Sequence, residues 1–329
     1  MLASKYKQEL TNAILELLWK QWTLLGVSGQ VSSTRNPYVL DPEALLLFSA
    51  EFARFDQRLY DLVIDWLRLN GELVNIPRLK ALLKDLTDNI KHSLGFMTSS
   101  VNIKKWQCFA KTLLPKKTSN IEELFLSTEG TNNNFIPKED KTALLYGFKR
   151  NQYIPGNKVV PFENNNPAPL LLRLRGAFGL SARAEAILAM LNKEFCRIQD
   201  VADCGKYTWK TASDALEELA ISGIVVTLDS TKRGRSYFLK NANAITSLFA
   251  IKKVIFPDWW AIFNTFSKIY LIVNNPLLDN VSEETAQNEL QTVFSKEANE
   301  HLHFCGITTL AKLTPDTITK MPQIIRALN

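Results

Sequence analysis

A chain of 329 residues exceeds the usual span of one domain, and a hydrophobic content of 46% is enough for two or three packed cores. Lysine and arginine (39) outnumber aspartate and glutamate (33), giving a formal charge of +6 and a pI near 9.0. This mild excess is compatible with a polyanionic partner without establishing one, while four scattered cysteines with no CxxC pair argue against a secretory disulfide framework.

The scattered cysteines point to a reducing cytoplasm, and the opening MLASKYKQELTNAILELLWKQW breaks its apolar run with charged residues, which argues against a signal peptide or a membrane span. From residue 10 to 22 the apolar spacing predicts a helix. A second start lies at Asp41-Pro42, an N-cap aspartate before a proline at the first helical position. The segment DPEALLLFSAEFARFDQRLYDLVIDWLRLNG reads as two helices, with Leu59, Leu62, Val63, Trp66 and Leu67 on one stripe and Gly71 ending the second. The following ELVNIPRLKALLKDL faintly repeats a layout of helix, gap and helix that is clearer after residue 181. The N-terminal helical domain (1–95) is therefore either a further helix-turn-helix-like unit or a set of ordinary packed helices.

Residues 96–169 form a mixed helix and loop region, closed by a linker, NQYIPGNKVVPFENNNPAP, in which Pro155, Pro161, Pro167 and Pro169 oppose regular helix. A compact unit follows at 170–245. The C-terminal helical region (246–329) holds an aromatic-rich helix around 259–271, read as core packing or a dimer seam, and a Ser282-led helix with Glu283, Glu284, Leu290 and Phe294.

The unit predicts a helix at 181–193 with Ser181 as its cap, an extended CRI, a helix near 199–203, a turn, and a longer helix at 209–222. Tyr207 and Ala212 stand as a hydrophobic staple around Thr208, the N-cap of the third helix. Ala212, Leu216 and Leu219 recur at core spacing, leaving Trp209, Lys210, Ser213, Asp214 and Glu217 on the open side. After Gly223, the β-rich IVVTLD and RSYFLK flank a polar STKRG and predict a hairpin with a basic tip.

On Ala182-Arg183-Ala184-Glu185, Tyr207-Thr208, Ala215-Leu216-Glu217-Glu218-Leu219 and Ser222-Gly223-Ile224-Val225, residues 170–240 resemble the winged-helix transcriptional regulators. The resemblance implies a mainly α, multi-helical protein containing a winged-helix domain of three helices plus a β-hairpin. It also implies double-stranded DNA as partner, a homodimer reading paired half-sites, and no cofactor. Carried over by residue, Thr208, Trp209, Lys210, Thr211 and Ser213 fall at or beside the groove, while Lys232, Arg233 and Arg235 lie on the wing; Lys206 adds a nearby cation. The chain departs from the pattern in having Gly205 and Lys206 where the turn glycine normally follows one residue later, and in the acidic Asp214 and Glu217. Some winged helices bind proteins instead, so an interaction or scaffold subunit is the alternative, and Trp209 could equally pack against the wing or a neighbouring domain.

Enzyme motifs are wanting. His301, His303 and Cys305 in HLHFC alternate but lack a fourth ligand, and GVSGQVSS lacks the lysine of a phosphate loop. With three histidines and no GxSxG, no nucleophile–base order can be built, so neither a catalytic residue nor a metal site is assigned.

Overall fold

The computed structural model describes residues 4–27, 37–116, 121–127, 138–163, 165–230, 234–274, 284, 285, 288, 292 and 320–328. The protein is mainly helical. The helices α1 (Ser4–Leu24), α2 (Pro42–Phe52), α3 (Gln57–Asn70), α4 (Ile76–Leu82), α5 (Asp88–Ser99), α6 (Lys104–Lys111) and α7 (Lys141–Leu145) build the first part. Each of α2, α3, α4 and α7 starts on an Asp or Asn whose side chain accepts from a first-turn amide: Asp41, Asp56, Asn75 and Asp140. Two short parallel strands, β1 (Glu122–Glu123) and β2 (Phe148–Lys149), close its side.

Helices α8 (Leu170–Phe178), α9 (Ala182–Asn192), α10 (Ile198–Gly205) and α11 (Trp209–Ile221) come next. An antiparallel hairpin then pairs β3 (Val225–Ser230) with β4 (Gly234–Leu239). Cys196 adds a one-residue bridge to Tyr237, so the extended segment before α10 lies along β4. After the hairpin come α12 (Ala242–Leu248), α13 (Trp259–Val273) and α14 (Met321–Ala327).

The apolar side chains form two cores. One gathers α1 to α7 with α13 and α14, around Trp22, Trp66, Trp106, Phe48 and Trp259. The other joins α8 to α11, the hairpin and residues 249–254 around Leu174, Leu188, Leu216 and Tyr237. The boundary expected at 95 thus falls inside α5. Helix α13 shares the first core because Phe263 stacks on Phe48 at 4.4 Å and Tyr270 meets Phe52 edge-on at 4.9 Å. The aromatic helix is core packing. Ser282, Glu283, Leu290 and Phe294 of the Ser282-led helix and the whole of HLHFC lie outside the described residues, as does GVSGQVSS beyond Val27.

The start of the expected linker lies against α3: Tyr153 Oη donates to Asp65 Oδ1 and Gly156 N donates to Asp65 Oδ2 at 2.8 Å, just after Arg150, which is bidentate on Asp61 at 2.6 and 3.0 Å. Among the described residues, no helix is long and apolar enough to cross a membrane.

Glu51 on α2 faces Phe48, Trp260 and Phe263 and accepts from Ser267 Oγ at 2.5 Å. Burial pushes its carboxyl up to about 7, against the opposing effects of Ser267 and Arg54. A carboxyl raised in the folded state stabilises the fold fully below its unfolded value near 4.5, and that contribution is lost as pH rises through 7. Glu51→Gln is therefore expected to match the wild type in urea melts at pH 4.5 and to exceed it by about 2 kcal/mol at pH 8.

Candidate nucleic-acid interface

The fourth helix of the second core, α11, presents its first turn to solvent. Thr208 caps it, with Oγ1 accepting from Thr211 N at 3.2 Å and lying 2.9 Å from Thr211 Oγ1. Thr208, Trp209, Lys210 and Thr211 are all exposed, and Trp209 keeps 58% of its surface. The first-turn amides that a helix leaves unpaired open on the same side.

Ser213 differs from its expected place: it is buried, with 8% of its surface exposed. Because α11 packs against both α9 and α10, its covered arc holds Ala212, Ser213, Ala215, Leu216 and Leu219, wider than the three-residue stripe predicted from spacing. Asp214, Glu217 and Glu218 do lie exposed, which gives the later turns of the helix an acidic outer face.

The turn into α11 explains the displaced glycine. Lys206 itself adopts the left-handed conformation, at φ +54°, and its Nζ pairs with Asp258 at 3.3 Å. Gly205 is needed for closeness: a Cβ there would lie 2.3 Å from the Tyr207 ring. Gly223 ends the α11 segment at φ +75°, as its place in the sequence predicts. Ser181 occupies the N-cap of α9 without capping a backbone amide, because its hydroxyl instead accepts from Arg183 Nε at 3.1 Å. On the hairpin, Arg235 opposes Asp229 in register and is exposed, whereas Lys232 and Arg233 lie outside the described residues.

A feature that the sequence reading missed sits directly behind this turn. Glu43 at the start of α2 is gripped by Arg78 Nη1 at 2.7 Å and by Arg175 Nη1 and Nη2 at 2.7 and 2.9 Å. Arg78 is also bidentate on Asp41 at 2.5 and 2.6 Å, and Arg175 reaches Glu185 Oε1 at 2.7 Å. All five side chains are at least 95% buried. Burial alone would raise the Asp41 carboxyl, but the Arg78 charge and hydrogen bonds hold it below its ordinary value. For Arg175, burial disfavours the charge, yet Glu43 and Glu185 lift the guanidinium above its ordinary value.

From this cluster Arg78 Nε donates to Gly205 O at 3.1 Å, and Asn75 Nδ2 donates to Tyr207 Oη at 2.7 Å. Tyr207, expected only as a staple, thus also ties the turn to α4. Burial pushes the Cys196 and Cys204 thiols up to about 12, which keeps both protonated at neutral pH.

Compared with protein-family models, curated proteins and solved structures, the chain matches none of them.

Proposed function

We propose that this chain is a DNA-binding transcriptional regulator, acting as a homodimer, in which α9 to α11 and the β3–β4 hairpin form a winged helix. The observation that carries this reading is the open first turn of α11, where a capped helix start exposes Trp209, Lys210 and Thr211 together. Such a start offers unpaired amides and a hydroxyl to a phosphate, and Lys210 to guanine acceptors or a second phosphate. The hairpin cations Lys232, Arg233 and Arg235 complete the proposed contact, with Lys206 modulated by its pairing to Asp258. The acidic later turns of α11 confine groove entry to its N-terminal half.

A protein-interaction subunit is the second reading. It is favoured by Ile221 and Leu228, apolar residues 88% and 52% exposed, together with the carboxylates of Asp214, Glu217 and Glu218.

Binding of the full chain to mixed genomic duplex fragments across a salt series separates the two. Each phosphate contact contributes roughly 0.9 to the log–log salt slope, so a Lys210→Ala, Lys232→Ala, Arg233→Ala variant should lose about 2 to 3 from that slope. Enrichment of particular fragments by the wild type is expected. Absence of binding at low salt, or an unchanged slope in the variant, transfers the weight to the protein-interaction reading.

A further inference from the structure

The two cores each contain a three-helix unit, and three of the six helix ends fall at one interval while the other three lie within three residues of it. Asn70 and Asn192 each end the first helix, Ile76 and Ile198 each begin the second, and Ser99 and Ile221 each end the third. From 70 to 192, 76 to 198 and 99 to 221 the interval is the same, 122 residues. At that interval the burial patterns of residues 60–67 and 182–189 coincide position by position. The third-helix core positions Ile90, Leu94 and Met97 match Ala212, Leu216 and Leu219, all buried. Leu69, Asn70, Glu72, Ile76 and Leu94 are repeated as the same residues at Leu191, Asn192, Glu194, Ile198 and Leu216.

The copies part company on the outer face of the third helix. In α11 the positions of Glu217 and Glu218 are exposed, whereas their counterparts Gly95 and Phe96 in α5 are buried. A Cβ on Gly95 would lie 2.5 Å from the Tyr146 ring, and α6 follows α5 where the hairpin follows α11. The first turn of α5 is as exposed as that of α11, but Thr87, Asp88 and Asn89 stand where α11 has Trp209, Lys210 and Thr211, so it meets a phosphate with a carboxylate in place of a cation.

The first copy does have a grip on the second. Asn75 and Arg78, on the N-cap and first turn of α4, hold Tyr207 Oη and Gly205 O, the two residues that flank Lys206 in the turn before α11. Lys206 is held in addition by Asp258, the residue before α13. We infer that the first three-helix copy, whose third helix opens on Asp88 rather than a lysine, serves as a positioning element that holds the α10–α11 turn of the second copy through Asn75 and Arg78. This rests on the DNA-binding reading for its consequence but not for its geometry.

Two variants of the full chain test it. Tyr207→Phe removes only the hydroxyl that Asn75 bonds and keeps the ring over Gly205, while Asn75→Ser retains a capping oxygen for α4 and removes the amide donor. Hydrogen exchange is read at Tyr207 and Thr211, with Cys196 and Tyr237 as hairpin controls, beside duplex affinity at several salt concentrations. A net hydrogen bond of about 1 kcal/mol corresponds to roughly fivefold, so each variant should exchange about fivefold faster at the turn, with the hairpin amides unchanged. Duplex affinity should fall by a similar factor at an unchanged salt slope, since the phosphate contacts remain.

Unchanged exchange in both variants overturns the grip itself, whatever the duplex data. Faster exchange with undiminished affinity overturns the positioning role. Faster exchange in a protein whose wild type binds no duplex upholds the grip and removes the DNA-binding reading instead.

Discussion

Arg175→Met is expected to destabilise the fold by about 3–5 kcal/mol, the cost of stripping a buried ionic cluster of one partner. Arg175 makes two hydrogen bonds to Glu43, two to Glu185 Oε1 and one to Leu73 O, and the whole side chain is out of water. Its loss leaves Glu185 without its only recorded side-chain partner among the described residues and Glu43 held by Arg78 and the Asn75 amide alone. Glu185 Oε2 already lacks a hydrogen-bond partner among those residues, so no spare donor stands by to compensate. Urea unfolding at neutral pH measures the loss. The sharper comparison is Arg175→Met with Glu43→Gln and Glu185→Leu, which removes charge from both sides and should recover at least half of the deficit. A single variant within about 1 kcal/mol of the wild type would mean that water reaches the cluster and that these charges are not desolvated as the packing indicates.

Gly205→Ala carries the second large effect, about 2–3 kcal/mol, through overpacking. The added methyl would meet the Tyr207 ring at 2.3 Å, and that ring cannot swing aside without breaking the bond that Asn75 makes to its hydroxyl. Relief by a second substitution identifies the cause: Gly205→Ala with Tyr207→Ala should be destabilised by less than the sum of the two single changes. Full additivity would locate the strain elsewhere. Thermal melts of the four proteins supply the cycle, and loss of duplex binding should accompany Gly205→Ala because the displaced ring lies one residue before the Thr208 cap.

Much of the second core was legible because its signals are local. Thr208 as cap, Gly223 at the helix end and the alternation of the hairpin strands each depend on neighbours within a few residues, and each stands where the spacing puts it. Ser213 was misplaced because the width of a helix's covered arc depends on how many partners it packs against, which one helix's periodicity does not contain. The ionic cluster was illegible for a related reason. Glu43 and Arg175 are separated by 132 residues, and nothing near either distinguishes a buried pair from two solvated charges. The three-helix repeat lay between these extremes: a likeness was visible around ELVNIPRLKALLKDL, but the fixed interval emerges only when helix ends and burial are aligned. Gly205 was noticed for the wrong property, since its lack of a side chain makes room for Tyr207 while Lys206 takes the left-handed backbone.

The sharing of the first core by distant parts of the chain bears on how the protein is made. Helix α2 is covered by Phe263 and Phe266, and α1 is bound through Glu16 to Arg326, 310 residues later. During synthesis α1 and α2 must wait, with apolar faces uncovered, while everything up to α13 and α14 is added. The second core draws all but Val39 from residues 170–254, so it can close while the earlier part is still waiting. The order of completion on the ribosome is then the reverse of the order of synthesis: the unit proposed to meet DNA is finished before the unit that holds it in place.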